Sequence, residues 1–196
     1  MKVSKVIDRL VAFAPPVLAA ATRMPEHCVL ATMTACDVLA AFDIPAEPCS
    51  VRVTIANRRY IEGLTRGLAP ASIVATGGHL IDTGADGQTL VTDRGRMWHG
   101  HLVAWLPGPR LIVDLVVGAW TRPAKAIRFP AAHALAFTPP AQEYPRGGPG
   151  TVIRYEVVRP DPGGWRDAHD ATTDRRDLVR PIVQAIRRGS LTRRAG

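Results

Sequence analysis

The run Cys28 to Phe42, Cys-Val-Leu-Ala-Thr-Met-Thr-Ala-Cys-Asp-Val-Leu-Ala-Ala-Phe, constrains the fold more than any other part of the chain. It is apolar on nearly every side, broken mainly by Thr32, Thr34 and Asp37. A helix of that kind offers water no face, so it belongs at the centre of a domain with other elements packed around it. Pro25 suits the first helical position, Glu26 suits the positive helix end, and Pro45 stops the run. The chain has the material to surround such a helix: 196 residues, 46% of them apolar and 21% charged. A chain of this length buries about 70% of its unfolded surface without help from a metal or a disulfide. That composition excludes disorder throughout, and no apolar run reaches the roughly 18 residues of a membrane span. Lys2 and Lys5 precede an apolar stretch in the manner of a signal peptide. Asp8, Arg9 and the Pro15-Pro16 pair interrupt it, so a cytoplasmic protein is expected, with no membrane partner. The three cysteines, Cys28, Cys36 and Cys49, form neither a disulfide framework nor a zinc-binding pair.

Around the central helix the periodicity changes along the chain. Val3, Val6, Ile7, Leu10, Val11 and Ala14 recur at helical steps over residues 2–14. Pro15 and Pro16 are expected to end or kink that helix, with a second helical piece over residues 17–22. Residues 50–57 alternate as a half-buried strand, residues 58–71 are ambiguous, and residues 72–76 and 89–92 read as short strands around a glycine-rich loop. Residues 101–106 and 110–117 are two strands joined by Pro107-Gly108-Pro109, the clearest hairpin in the chain. Residues 131–150 are rich in proline and glycine and read as loop, with 139–150 bordering a cleft. Residues 151–159 form a strand with Val152, Tyr155 and Val157 packing. Residues 174–188 form a helix with Leu178, Ile182, Val183 and Ile186 on one side. Helices first and neighbouring strands later predict an α+β fold, a buried N-terminal helix packed on an antiparallel sheet. Residues 1–170 would make one domain and 171–196 a basic C-terminal helix and tail. The formal charge of +8 comes almost wholly from arginine, 22 Arg against 3 Lys. It reads mainly as a solvated basic face, and few aromatics lie among the C-terminal arginines to stack single-stranded bases.

Three residues carry the chemistry. Cys28 falls in the first turn of the central helix, where unpaired N–H groups and the helix dipole favour a thiolate. Cys36 and Cys49 read as small hydrophobes. A thiol nucleophile needs a base, and the base an orienting group. With the hairpin turn centred on Gly108–Pro109, His101 lies opposite Val116 and Val103 opposite Asp114. His101 and Asp114 then share a face as diagonal neighbours, about 7–8 Å apart at Cβ, a gap their side chains can close. Asp114 also interrupts the apolar run Leu111-Ile112-Val113-Asp114-Leu115-Val116-Val117. A buried carboxylate demands a partner, and His101 is the nearest in this register. His99 competes for the base role from one pleat further away.

The chain resembles the transglutaminase-like and papain-like cysteine hydrolases, whose branches include the arylamine acetyltransferases. The matching features are His27-Cys28-Val29-Leu30-Ala31-Thr32 opening a helix, Trp98-His99-Gly100-His101-Leu102-Val103 opening a strand, and Leu111-Ile112-Val113-Asp114-Leu115 on the next, with the helix leaving through Phe42-Asp43-Ile44-Pro45-Ala46. The resemblance covers roughly residues 20–125 and implies nucleophile Cys28, base His101 and orienter Asp114, acting through a thioester on a peptide or small amide or ester. It implies no cofactor. The tryptophan common beside the family's cysteine is absent. Arg23-Met24-Pro25-Glu26-His27 also differs from the acetyltransferase approach to the cysteine, which disfavours acetyl transfer. His99, Trp120 and Arg122 are candidates for lining the substrate cleft. Two other readings remain open at this point. His99-x-His101, completed by Asp114 or His79, would make a metal-binding hydrolase. The basic C-terminal helix would make a non-enzymatic module for nucleic acid or an acidic partner.

Overall fold

A computed structural model describes residues 1–21, 28–83, 89–92, 95–98, 100–158, 165–166 and 174–189. Among the described residues, helices α1 (Val3–Ala21), α2 (Cys28–Ala40), α3 (Arg58–Thr65), α4 (Pro70–Ala75) and α5 (Arg176–Arg188) accompany nine strands. These are β1 (Glu47–Ala56), β2 (Leu80–Asp82), β3 (Thr89–Thr92), β4 (Gly95–Trp98), β5 (His101–Leu106), β6 (Leu111–Asp114), β7 (His133–Ala136), β8 (Ala141–Tyr144) and β9 (Val152–Val157). The architecture is α+β with an antiparallel sheet ordered β7-β6-β5-β1-β9-β8. Strand β1 pairs with β5 over its first half, with β9 over its second half, and with β2 near its end. A separate β3–β4 hairpin lies off the sheet.

Period-2 alternation divides the sheet's residues between two cores. Ala104 and Leu106 of β5 and Val113 of β6 face the helices, where Val6, Leu10, Ala14 and Leu18 of α1, Ala31, Ala35, Val38 and Leu39 of α2, and Leu178, Ile182 and Ile186 of α5 meet them. Val103, Ile112, Leu135, Val51, Val53, Ile55, Ile153 and Tyr155 fill the opposite side. The sheet curls around this second core and turns its outer strands towards each other. The Tyr144 hydroxyl of β8 donates to the Ala136 carbonyl of β7, and Tyr155 of β9 reaches Asp114 of β6 across the interior.

Several local expectations change. Residues 3–21 form one helix with both prolines inside it, because the apolar stripe Val6, Leu10, Ala14, Leu18 runs unbroken past them and its burial outweighs the lost backbone bonds. Helix α2 ends before Pro45 through Asp43, which adopts a left-handed conformation while the Ile44 N–H reaches back to the Leu39 carbonyl. Residues 72–75 are helical, not strand, and Thr76 caps them: Pro70 opens α4. The ambiguous stretch before it is α3, capped by Asn57, whose side chain accepts from the Tyr60 N–H. The expected loop at 131–150 contains β7 and β8. Its prolines and glycines fall mostly outside those four-residue strands, so they mask them in composition. Strand β6 stops at Asp114, and a 3-10 turn follows at Val117–Trp120. The C-terminal helix packs on α1 and α2, and Arg175 pairs with Asp37 of α2 at 2.7 Å.

Candidate active site

The site forms where the N-terminal end of α2 meets the start of β5. Thr32, one turn below Cys28, donates from Oγ1 to the Leu102 carbonyl at 2.8 Å and fixes that end of the helix to the strand. Val29, Leu102 and Trp165 pack beneath it, with Cys28 and Met33 against them. Cys28 is half-buried at the first position of the helix.

The β5–β6 hairpin has the expected register: Ala104 opposes Val113, Trp105 opposes Ile112 and Leu106 opposes Leu111. Continued back, this places Val103 opposite Asp114 and puts His101 on the same face. His101 Nε2 lies 2.9 Å from Asp114 Oδ2, and the two residues are 3% and 1% exposed. Burial alone would lower the His101 pKa. The Asp114 charge and hydrogen bond outweigh it, and a hydrogen bond and charge interaction with Cys28 add to them, so the imidazole is raised to about 10. Burial likewise opposes ionisation of Asp114. The His101 charge and hydrogen bond and the Val116 N–H prevail and lower it to about 2. With Nε2 on Asp114, Nδ1 is the ring nitrogen not bonded to the carboxylate. The Cys28 thiol, the His101 imidazole and the Asp114 carboxylate thus lie together.

Asp114 is held at both oxygens. Oδ1 accepts from the Val116 N–H at 3.0 Å, a side-chain turn that also ends the strand. Oδ2 accepts from His101 and from the Tyr155 hydroxyl, at 2.8 Å. Tyr155 is fully buried, and its oxygen lies 2.8 Å from His133 Nε2. Burial first, then the charge and hydrogen bond of Asp114, raise the Tyr155 pKa well above its ordinary value, so the hydroxyl keeps its proton. Burial, with Arg146 and His101, lowers the His133 pKa despite Asp114. The Tyr155 proton goes to Asp114, so the hydrogen of the Tyr155–His133 contact is carried by His133 Nε2.

From the sequence alone Tyr155 reads as a packing residue and His133 as part of a loop. The available signal was the alternation His133-x-Leu135-x-Phe137, which is strand periodicity inside a proline-rich stretch. Among the other candidates, Trp120 stands edge-on to His101 with ring centroids 4.5 Å apart and covers the imidazole. Arg122 turns back and donates to the carbonyls of Ala119 and Thr121 at 2.8 and 2.9 Å, bracing that turn. His99 lies outside the described residues. His79 sits beyond the end of β1, where its N–H donates to Asn57. Among the described residues no three His, Cys, Asp or Glu side chains are grouped to hold a metal ion. None of the cysteines is in a disulfide, and burial followed by the Asp37 charge pushes the Cys36 thiol up to about 12. Among the described residues, no helix is long and apolar enough to cross a membrane.

Comparison with family models, with curated proteins and with solved structures finds no match for this chain.

Proposed function

We propose that the protein is a cysteine-dependent hydrolase or acyltransferase acting on an amide or ester, of the papain-like and transglutaminase-like kind. One observation carries this reading: a buried His101–Asp114 couple on adjacent strands, 2.9 Å apart, with the half-buried Cys28 thiol beside the same imidazole. A purely structural role would not require the costly burial of a histidine–carboxylate pair beside a half-exposed thiol.

In this mechanism the Cys28 sulfur attacks the substrate carbonyl while His101 holds the thiol proton. A C–S bond forms as the carbonyl π pair moves to oxygen, and the Cys28 backbone N–H at the helix start supplies one donor to that oxygen. Collapse breaks the C–N or C–O bond, and His101 gives its proton to the leaving amine or alcohol. Water or an amine then attacks the thioester as His101 accepts its proton, and the acyl group leaves sulfur. Asp114 holds the imidazole in one orientation and stabilises its charged form. A cytoplasmic location fits a reactive thiol kept reduced.

Alkylation by iodoacetamide, with the label located by mass spectrometry, tests this reading. Cys28 should react faster than Cys36 and Cys49 at pH 7, and His101→Ala should slow it by about tenfold or more, on the scale of a lost catalytic base. An inert Cys28, or a Cys28 indifferent to His101→Ala, would overturn the proposal.

A further inference from the structure

The buried polar chain does not stop at the carboxylate. It runs on through two residues that the nucleophile, base and orienter do not account for: Tyr155 on β9 and His133 on β7. We propose that Tyr155 and His133 are positioning residues of the same site, a directed pair of donors that locks Asp114 in the one orientation in which it serves His101. The inference rests on the reading of Cys28 and His101 as nucleophile and base.

The direction of the chain follows from hydrogen-bond chemistry. An ionised carboxylate only accepts, so Tyr155 must donate to Asp114 Oδ2. The Tyr155 oxygen is then an acceptor for His133, which requires the proton of the neutral imidazole on Nε2. His133 Nδ1 is buried with no hydrogen-bond partner. A proton there would be a buried donor without an acceptor, so the Nε2–H form is the one the site tolerates. His133 thereby fixes the hydroxyl of Tyr155, and Tyr155 occupies the lone pair of Oδ2 that His101 leaves open.

Topology argues that this contact is specific. Asp114 and His133 are register partners on β6 and β7, but two strands, β5 and β1, separate Tyr155 from Asp114 in the sheet order. Only the curl of the sheet brings the hydroxyl to the carboxylate. Val53, Ile112, Leu135 and Ile153 belong to the same buried apolar cluster as Tyr155. A tyrosine needed only for volume there would not require its hydroxyl to be met by two further polar groups.

The test is the alkylation rate of Cys28 by iodoacetamide at pH 6–8 in the full chain, for the wild type, His101→Ala, Tyr155→Phe, His133→Leu and His133→Gln. Tyr155→Phe should slow Cys28 by about tenfold, the scale of one lost hydrogen bond to a charged group, and His133→Leu, which loses a neutral hydrogen bond, by about two- to tenfold. His133→Gln, which keeps an N–H donor near the position of Nε2, should restore most of the rate. If His101→Ala slows Cys28 while Tyr155→Phe and His133→Leu leave it unchanged, the positioning role is wrong and the nucleophile–base reading stands. If His101→Ala has no effect, both fall. Histidine-selective nitrogen NMR of the wild-type protein tests the proposal without any variant having to fold. It should show His133 neutral at pH 7 with its proton on Nε2. A charged His133, or a proton on Nδ1, overturns the inference.

Discussion

At Asp114 one carboxylate oxygen accepts from two side chains, and the other from the backbone two residues on. Removing its charge leaves His101 buried without a counter-ion. Asp114→Asn should therefore cost about 3–5 kcal/mol, the usual penalty for breaking a buried pair from one side, measured by denaturant unfolding. The pH dependence follows from the shifted pKa values. His101 rises from 6.5 to about 10 on folding, so its contribution is full below 6.5 and disappears as the pH climbs towards 10. Asp114 falls from 3.8 to about 2, so its contribution is present above 3.8 and is lost as the pH drops towards 2. The stability gap between wild type and Asp114→Asn should be widest between pH 4 and 6.5 and should narrow steadily to pH 10. A gap that widens with alkali would contradict the ion pair. This much of the site was legible in the sequence, because a lone aspartate inside an apolar strand and a short hairpin turn together dictate which histidine faces it. Tyr155 was not, since a tyrosine at an inward strand position looks the same whether or not its hydroxyl has a partner.

Elements set the distances between these residues. The Thr32–Leu102 hydrogen bond ties α2 to β5 one turn from the thiol. Thr32→Val keeps the shape and loses that tie. It should cost about 1 kcal/mol of stability, yet slow Cys28 alkylation more than so small a loss implies, because it frees the end of α2 that presents the sulfur. Gly118 opens the turn that carries Trp120 over His101. A Cβ there would lie 2.9 Å from Ala131 Cα and 3.1 Å from the Pro130 carbonyl, both backbone atoms that cannot step aside. Gly118→Ala should destabilise by about 1–3 kcal/mol, as other overpacked sites do, and should shift tryptophan fluorescence as Trp120 moves off the imidazole. The central helix and the hairpin were readable from period and punctuation. The unbroken α1 was not, because proline's local cost is visible in sequence whereas the burial that offsets it depends on α2 and α5 lying alongside.

Across the whole molecule, the helix core and the sheet interior are separate apolar clusters sharing one sheet. Ile182 of α5 is fully buried in the first of them. Ile182→Ala should cost about 2–5 kcal/mol and leave a single unfolding transition with an unchanged denaturant slope. A second transition would mean that the C-terminal helix melts apart from the rest. The α+β class was legible from the order of the elements. The curl was not, since curvature arises from how β7 and β8 close against each other, far from any one strand's pattern. That closure has another consequence. A flat sheet of this order would end in two rows of unpaired backbone groups, each a template for a strand of another molecule. Here the curl turns the two outer strands towards each other, and the Tyr144 hydroxyl of β8 reaches the Ala136 carbonyl of β7, so the same bend that brings Tyr155 to Asp114 also turns those edges inward, away from a strand of another molecule.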